Sequence, residues 1–221
     1  MKKITIAIDG FSGTGKSSTA KEVAKQLAYT YIDSGAMYRA CTLYFLDKNI
    51  DPRDENQVVA ALGSVEISFQ NGHILLNGLD VSDEIRTMRV NDHVSEISAS
   101  LKVRNAMVNQ QRMIGDASGI VMDGRDIGTV VFPEADLKVF MTANSKVRAQ
   151  RRQAELEKKG VFEELSVIES NLLKRDQMDS SREESPLKKA EGAIEIDTSN
   201  INFKTQVQEI VSLAKSILYE G

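Results

Sequence analysis

The chain has 221 residues, 41% hydrophobic and 27% charged with only three prolines, which excludes widespread disorder and suits one ordinary domain, alone or with a small insert. A net charge of −4 argues against a domain held mainly on a nucleic-acid backbone, and no run approaches the roughly 18 apolar residues of a membrane span. The lone Cys41 forms no intrachain disulfide and has no zinc-type neighbours, while the apolar run after Met1-Lys2-Lys3 stops at Asp9-Gly10, too soon for a secretory leader; a reducing, cytoplasmic setting is expected.

In chain order, Ile4 to Ile8 is short, β-branched and followed by a glycine-rich turn, the pattern of a buried parallel strand. From Ser17 to Tyr29 the apolar residues Ala20, Val23, Ala24 and Leu27 recur at helical spacing, Thr30 to Asp33 reads as a second strand, and Gly35 to Leu46 as a second helix that packs Cys41. The period changes at Ser64. Val65, Ile67 and Phe69 alternate with polar residues before Asn71-Gly72, and Ile74 to Leu76, a second turn at Asn77-Gly78, and Leu79 with Val81 continue the pattern. A small antiparallel insert outside the main sheet is therefore expected at about residues 63–83. Helical sequence resumes to about Gly115, and further strands are expected at Ile120–Asp123, Leu137–Met141 and Ala193–Asp197, with charged helices between them. The last helix carries Val207, Ile210, Val211, Ala214, Ile217 and Leu218 on one face. Strands alternating with helices imply a parallel α/β sheet covered on both faces.

Gly10-Phe11-Ser12-Gly13-Thr14-Gly15-Lys16-Ser17 satisfies G-x-x-x-x-G-K-[ST] and lies between an expected strand and an expected helix, the context this phosphate-binding motif requires. Glycines let backbone N–H groups turn toward phosphate oxygens, and the helix N-terminus adds partial positive charge. Lys16 would reach the β- and γ-phosphates of a nucleoside triphosphate, and the Ser17 hydroxyl would serve a bridging Mg²⁺. Kinases, GTPases and transport ATPases all use such a loop, so the rest of the site must discriminate.

Asp33-Ser34-Gly35-Ala36-Met37-Tyr38-Arg39 ends one strand and opens a helix, at the ligand-binding edge of an open α/β sheet, where Tyr38 and Arg39 can donate to an anion; a helix cap with a surface arginine would have the same sequence. Asp123-Gly124-Arg125-Asp126-Ile127-Gly128 occupies an equivalent edge, with Arg125 suited to a phosphate, Asp123 to a Mg²⁺-bound water or the acceptor, and Asp126 to a base amino group; a turn with an internal ion pair is the alternative. Arg175, Asp179 and Arg182 fall at helical steps and Asp176 joins them, either as a binding face or as a solvated, ion-paired helix. Arg148, Arg151 and Arg152 suit a mobile, charge-neutralising lid, or equally a charged surface. His73 and His93 have no partners in a ligand pattern.

Taken together, the phosphate loop, the Asp33–Arg39 segment, Asp123-Gly124-Arg125-Asp126-Ile127-Gly128-Thr129-Val130-Val131-Phe132-Pro133 and Arg175-Asp176-x-x-Asp179-x-x-Arg182 resemble the bacterial cytidylate kinase family in order and spacing, from the first strand to about Asp197. The resemblance implies a three-layer P-loop fold with a five-stranded parallel sheet and a small antiparallel β insert. It implies a single kinase domain over residues 1–221, in which the insert at 63–83 belongs to an acceptor-binding region reaching about residue 100, and 145–182 form lid and acceptor-site helices. The implied activity is transfer of the γ-phosphate of ATP, with Mg²⁺, to CMP or dCMP, by a monomer that needs neither nucleic acid nor membrane. ATP would lie on Gly10 to Ser18, a stretch that includes Ser12, Gly13, Thr14 and Gly15, with the metal at Ser17. By similarity, Tyr38, Arg39, Arg125 and Arg182 hold the CMP phosphate, Ser34, Asp179 and Arg175 the sugar, and Ser95, Arg104 and Asp126 the cytosine, with Asp123 nearby. Lys16, Arg125, Arg148, Arg152 and Arg182 are the expected catalytic groups. Phe11 stands where the family commonly has proline, and Ala28 where glycine is common. A kinase for another monophosphate such as UMP, or a P-loop regulatory ATPase, remains the alternative.

Overall fold

The strand β1 (Thr5–Gly10) is buried along nearly its whole length, as its β-branched residues lead one to expect, and it occupies the middle of a five-stranded sheet. The computed structural model describes residues 3–70, 72–115, 119–158 and 160–220. Two compact units are present, Met1–Tyr31 with Ser118–Gly221, and Ile32–Ala117.

In the first unit, α1 (Lys16–Leu27) follows β1, and β2 (Thr30–Asp33), an edge strand of the sheet, carries the chain across the boundary into the second unit. Of the later elements, β6 (Ile120–Gly124), β7 (Leu137–Thr142) and β8 (Ile194–Asp197) complete the order β2-β6-β1-β7-β8. β1 pairs in parallel with β6 and β7, Asp9 opposite Gly124 and Gly10 opposite Met141, so the loops that leave these strands emerge side by side. The helix α8 (Phe203–Glu220) packs with α1 over the sheet, where Ile6, Ile8, Val23, Val139, Ile210 and Val211 form one core. Between β7 and β8, α6 (Ser145–Glu157) and α7 (Leu165–Ser181) pack on each other through Ala149, Ile168 and Leu172.

The second unit holds α2 (Ser34–Asp47), α3 (Glu55–Leu62), the antiparallel strands β3 (Ile67–Gln70), β4 (His73–Leu76) and β5 (Leu79–Asp80), then α4 (Met88–Ala99) and α5 (Leu101–Gly115). The three-stranded sheet is separate from the main one, as the change of period at Ser64 predicts. Asn77 and Gly78 both adopt positive φ, 50° and 81°, the geometry for which Asn-Gly is selected in a tight hairpin, whereas Asn71 of the first expected turn lies outside the described residues. Cys41 is buried in α2 by packing, and His73 and His93 lie exposed. Among the described residues no helix is long and apolar enough to cross a membrane.

Candidate active site

The phosphate loop owes its shape to its glycines. Gly10 has φ 145°, and a Cβ there would lie 2.0 Å from the Met141 carbonyl oxygen, so any larger residue would force β1 and β7 apart. Gly15, at φ 89°, is the N-cap of α1 and supplies no capping side chain, which leaves the start of the helix facing the loop. The Thr14 hydroxyl donates to the Phe11 carbonyl at 2.9 Å, and Lys16 Nζ donates to the same oxygen at 2.7 Å. The Phe11 ring meets Phe140 edge-on at 5.9 Å and lies 5.5 Å from the Arg148 guanidinium, so ring packing fixes this end of the loop.

Burial holds the Lys16 ammonium down to about 7, with the Arg125 charge adding to the effect while Asp123 and Asp9 oppose it. Asp9, also buried, is pushed up to about 6 against the stabilising backbone bonds it accepts from Gly128 N (2.7 Å) and Ile127 N (2.8 Å). Those bonds tie β1 to the single π turn Ile127–Val131, which follows Asp126, itself buried. Asp123 at the end of β6 accepts from the Ser17 hydroxyl through Oδ2 at 2.7 Å and from the Tyr31 hydroxyl through Oδ1 at 2.8 Å. Ser17 and Ser18 are solvent-exposed, open to a ligand on the loop.

Arg125 Nε donates to Asp179 Oδ2 at 2.8 Å, and its other end reaches 3.5 Å from the Ser12 hydroxyl. Arg182 lies 3.7 Å from the second Asp179 oxygen and donates to the Ser185 carbonyl at 2.6 Å. Burial opposes the charge on Asp179, yet Arg125, Arg182 and Arg175 together hold its carboxyl below the usual range. The helical spacing of Arg175, Asp179 and Arg182 thus yields a partly buried charge cluster, although α7 ends at Ser181 and Arg182 is already extended, ψ 142°.

The arginines of α6 divide. Arg148, 5% exposed, bonds Asp176 and the Ser12 and Ala143 carbonyls, and Arg151 bonds the Thr14 carbonyl and Thr198. Both therefore grip the backbone of the phosphate loop, whereas Arg152 pairs with Glu155 at the surface.

In the second unit, Asp33 caps α2, accepting from Ala36 N, and Ser34 is buried at the first helical position. Arg39 donates to the Gly35 carbonyl at 3.1 Å and approaches Asn91 of α4. Buried Arg104 lies over the Tyr38 ring at 5.4 Å and bonds the Ser98 carbonyl, while the Ser98 hydroxyl donates to the carbonyl of half-buried Ser95. Tyr38, Arg104 and the Ser95–Ser98 turn are brought together here. Asp9, Tyr31, Asn91 and Thr198 also join these contacts; their partners are remote in sequence and no motif contains them.

The family model described as cytidylate kinase matches residues 6–216. The chain belongs to the cytidylate kinase family. A protein named cytidylate kinase from Bacteroides fragilis is 49% identical over 221 residues, 96% of each chain, and one so named from Cytophaga hutchinsonii is 48% identical over 226 residues, 100% of this chain and 97% of that one. Among solved structures, a shikimate kinase from Bacteroides thetaiotaomicron superposes with a TM-score of 0.51 at 12% identity over 97% of this chain and 99% of its own, a likeness of fold alone.

Proposed function

We propose that the chain transfers the γ-phosphoryl group of ATP to CMP or dCMP, giving ADP with CDP or dCDP. The observation that carries this reading is the cluster of Arg125, Asp179 and Arg182 standing beside the phosphate loop, with Arg125 3.5 Å from the Ser12 hydroxyl. Hydrolysis by a P-loop ATPase is served by a single arginine at the transferred group, whereas paired arginines bridged by a carboxylate suit an acceptor that is itself a phosphate dianion.

The donor triphosphate would lie in the loop from Gly10 to Ser18, with Lys16 exchanging the Phe11 carbonyl for phosphate oxygens. The Ser17 hydroxyl and the Asp123 carboxylate are hard oxygen donors 2.7 Å apart beside that loop, a set that fits Mg²⁺. Bound there with the nucleotide, Mg²⁺ supplies charge neutralisation at the β- and γ-phosphates. Arg125 and Arg182, beside the phosphate loop, are acceptor-phosphate ligands in this reading, and the family resemblance adds Arg39 and Tyr38. Ser34, Arg175 and Asp179 serve the sugar, and Ser95, Arg104 and Asp126 the base, where groups of fixed donor and acceptor sense disfavour a base of reversed pattern. The acceptor is already a nucleophilic phosphate oxygen, so no covalent enzyme intermediate is needed. The protein aligns, neutralises and keeps water from the transferred group.

Steady-state ADP production with Mg·ATP and CMP, dCMP, UMP, AMP or GMP in turn, beside a Lys16→Ala control, tests the reading. Turnover with CMP and dCMP above the other acceptors is expected. A preference for UMP or AMP would defeat the base assignment, and a rate independent of acceptor would leave an ATPase.

A further inference from the structure

Asp123 is a buried carboxylate, 4% exposed, and its rotation decides what Ser17 meets. The terminal torsion of an aspartate is broad and two-fold, so a single hydrogen bond leaves the carboxylate plane free to swing. Here both oxygens are engaged: Ser17 takes Oδ2 at 2.7 Å, and the Tyr31 phenol takes Oδ1 at 2.8 Å. Tyr31 sits on β2, the strand next to β6 in the sheet, and its ring packs on the core that includes Ile6, Val23 and Val121. A phenol on a core-packed ring is held at a set height above the sheet, and an O–H bond to an ionised carboxylate is among the stronger hydrogen bonds available to a protein.

We propose that Tyr31 is a positioning residue for the divalent cation that accompanies the donor nucleotide, holding Asp123 so that one carboxylate oxygen stays turned toward Ser17. The inference rests on the assignment of Ser17 and Asp123 to Mg²⁺ made above and adds the group that orients them. Partners of this kind, one bond removed from the metal, set the angle and basicity of its ligands, and their loss lowers metal affinity by about 10–100-fold.

Tyr31→Phe keeps the ring and its packing and removes only the O–H. Calorimetry of the folded variant with metal-free ADP and with Mg·ADP separates nucleotide binding from metal binding, independently of turnover. Metal-free ADP is expected to bind as to the unaltered chain, and Mg·ADP about ten-fold more weakly. In kinetics the free Mg²⁺ needed for half-maximal rate rises by a similar factor, with KM for CMP unchanged. In an Asp123→Asn background, Tyr31→Phe adds no further loss, because the carboxylate it acts through is gone. Equal weakening of both ADP forms, an unchanged Mg·ADP affinity, or the same loss in the Asp123→Asn background would each overturn the proposal. An unaltered chain that binds Mg·ADP yet shows no CMP-dependent turnover would defeat the proposed function instead, since the calorimetric comparison does not depend on the acceptor.

Discussion

Lys16 shows how much of the site is prepared before a ligand arrives. Burial has brought its ammonium from 10.5 to about 7, and it donates to a carbonyl of its own loop, at 2.7 Å. Because the folded chain holds this proton less tightly than the unfolded one, stability gains a contribution as pH rises from about 7 toward 10.5 and lacks it below. Triphosphate oxygens reverse the balance by placing negative charge against Nζ. ATP binding at pH 8 is accordingly expected to take up a substantial fraction of a proton, read as a dependence of the calorimetric enthalpy on buffer ionisation heat and absent in Lys16→Ala. A buffer-independent enthalpy in the unaltered chain would show that Lys16 is already charged. Individual residues were legible where chemistry is written into a local motif, as at Gly10, Lys16, Ser17 and Arg125. They were not legible where the partner is remote: Tyr31 meets Asp123 across 92 positions and Asp9 meets Ile127 across 118.

Among elements, α6 and α7 form a clamp on the phosphate loop. The Arg148–Asp176 pair has side-chain exposures of 5% and 10%, and Asp176 also accepts from Ser12 N at 3.4 Å. Removing one member leaves the other charge buried without its partner, so Asp176→Ala should destabilise the fold by about 3–5 kcal/mol in denaturant unfolding and weaken nucleotide binding as the loop loosens. A loss under about 1 kcal/mol, the range of exposed pairs, would mean that water reaches Arg148. Ala28 makes the opposite case. It terminates α1 at φ 55°, a left-handed conformation that costs a residue with a Cβ about 1–2 kcal/mol, only part of which glycine's greater unfolded-state freedom returns. Ala28→Gly should raise stability by about 0.5–1 kcal/mol, seen as a higher melting temperature with unchanged activity. The main strands, α1 and α8 were legible from period, whereas α4 and α5 read as one helical stretch because nothing in composition marks the break at Ser100, and α6 and α7 read only as charged helical sequence. α3 was not, because only Val58 and Ala61 are buried in its eight residues, and its clearest signal is the cap at Asp54, which accepts from Asn56 and Gln57 N. The π turn after Asp126 carries no sequence signature; it is imposed by the two backbone bonds to Asp9.

At the scale of the molecule, the α/β class, the parallel five-stranded sheet and the detached antiparallel insert follow from where the hydrophobic period switches, and the family follows from motifs spread from Gly10 to Arg182. The division of the chain at Tyr31 and Ser118 was not legible, since it depends on which segments pack together rather than on any linker composition. Each unit contributes its own polar groups, the phosphate loop with the Arg125–Asp179–Arg182 cluster on one and Arg39 with the Tyr38–Arg104 pair on the other. Transfer between two nucleotides is the proposed use of the phosphate loop and the arginine cluster beside it. It is tested most directly by incubating the chain with Mg·ATP and CMP and identifying the phosphorus products by ³¹P NMR. ADP and CDP in equal amounts with negligible inorganic phosphate are expected; ADP accompanied by inorganic phosphate and no CDP would rule transfer out.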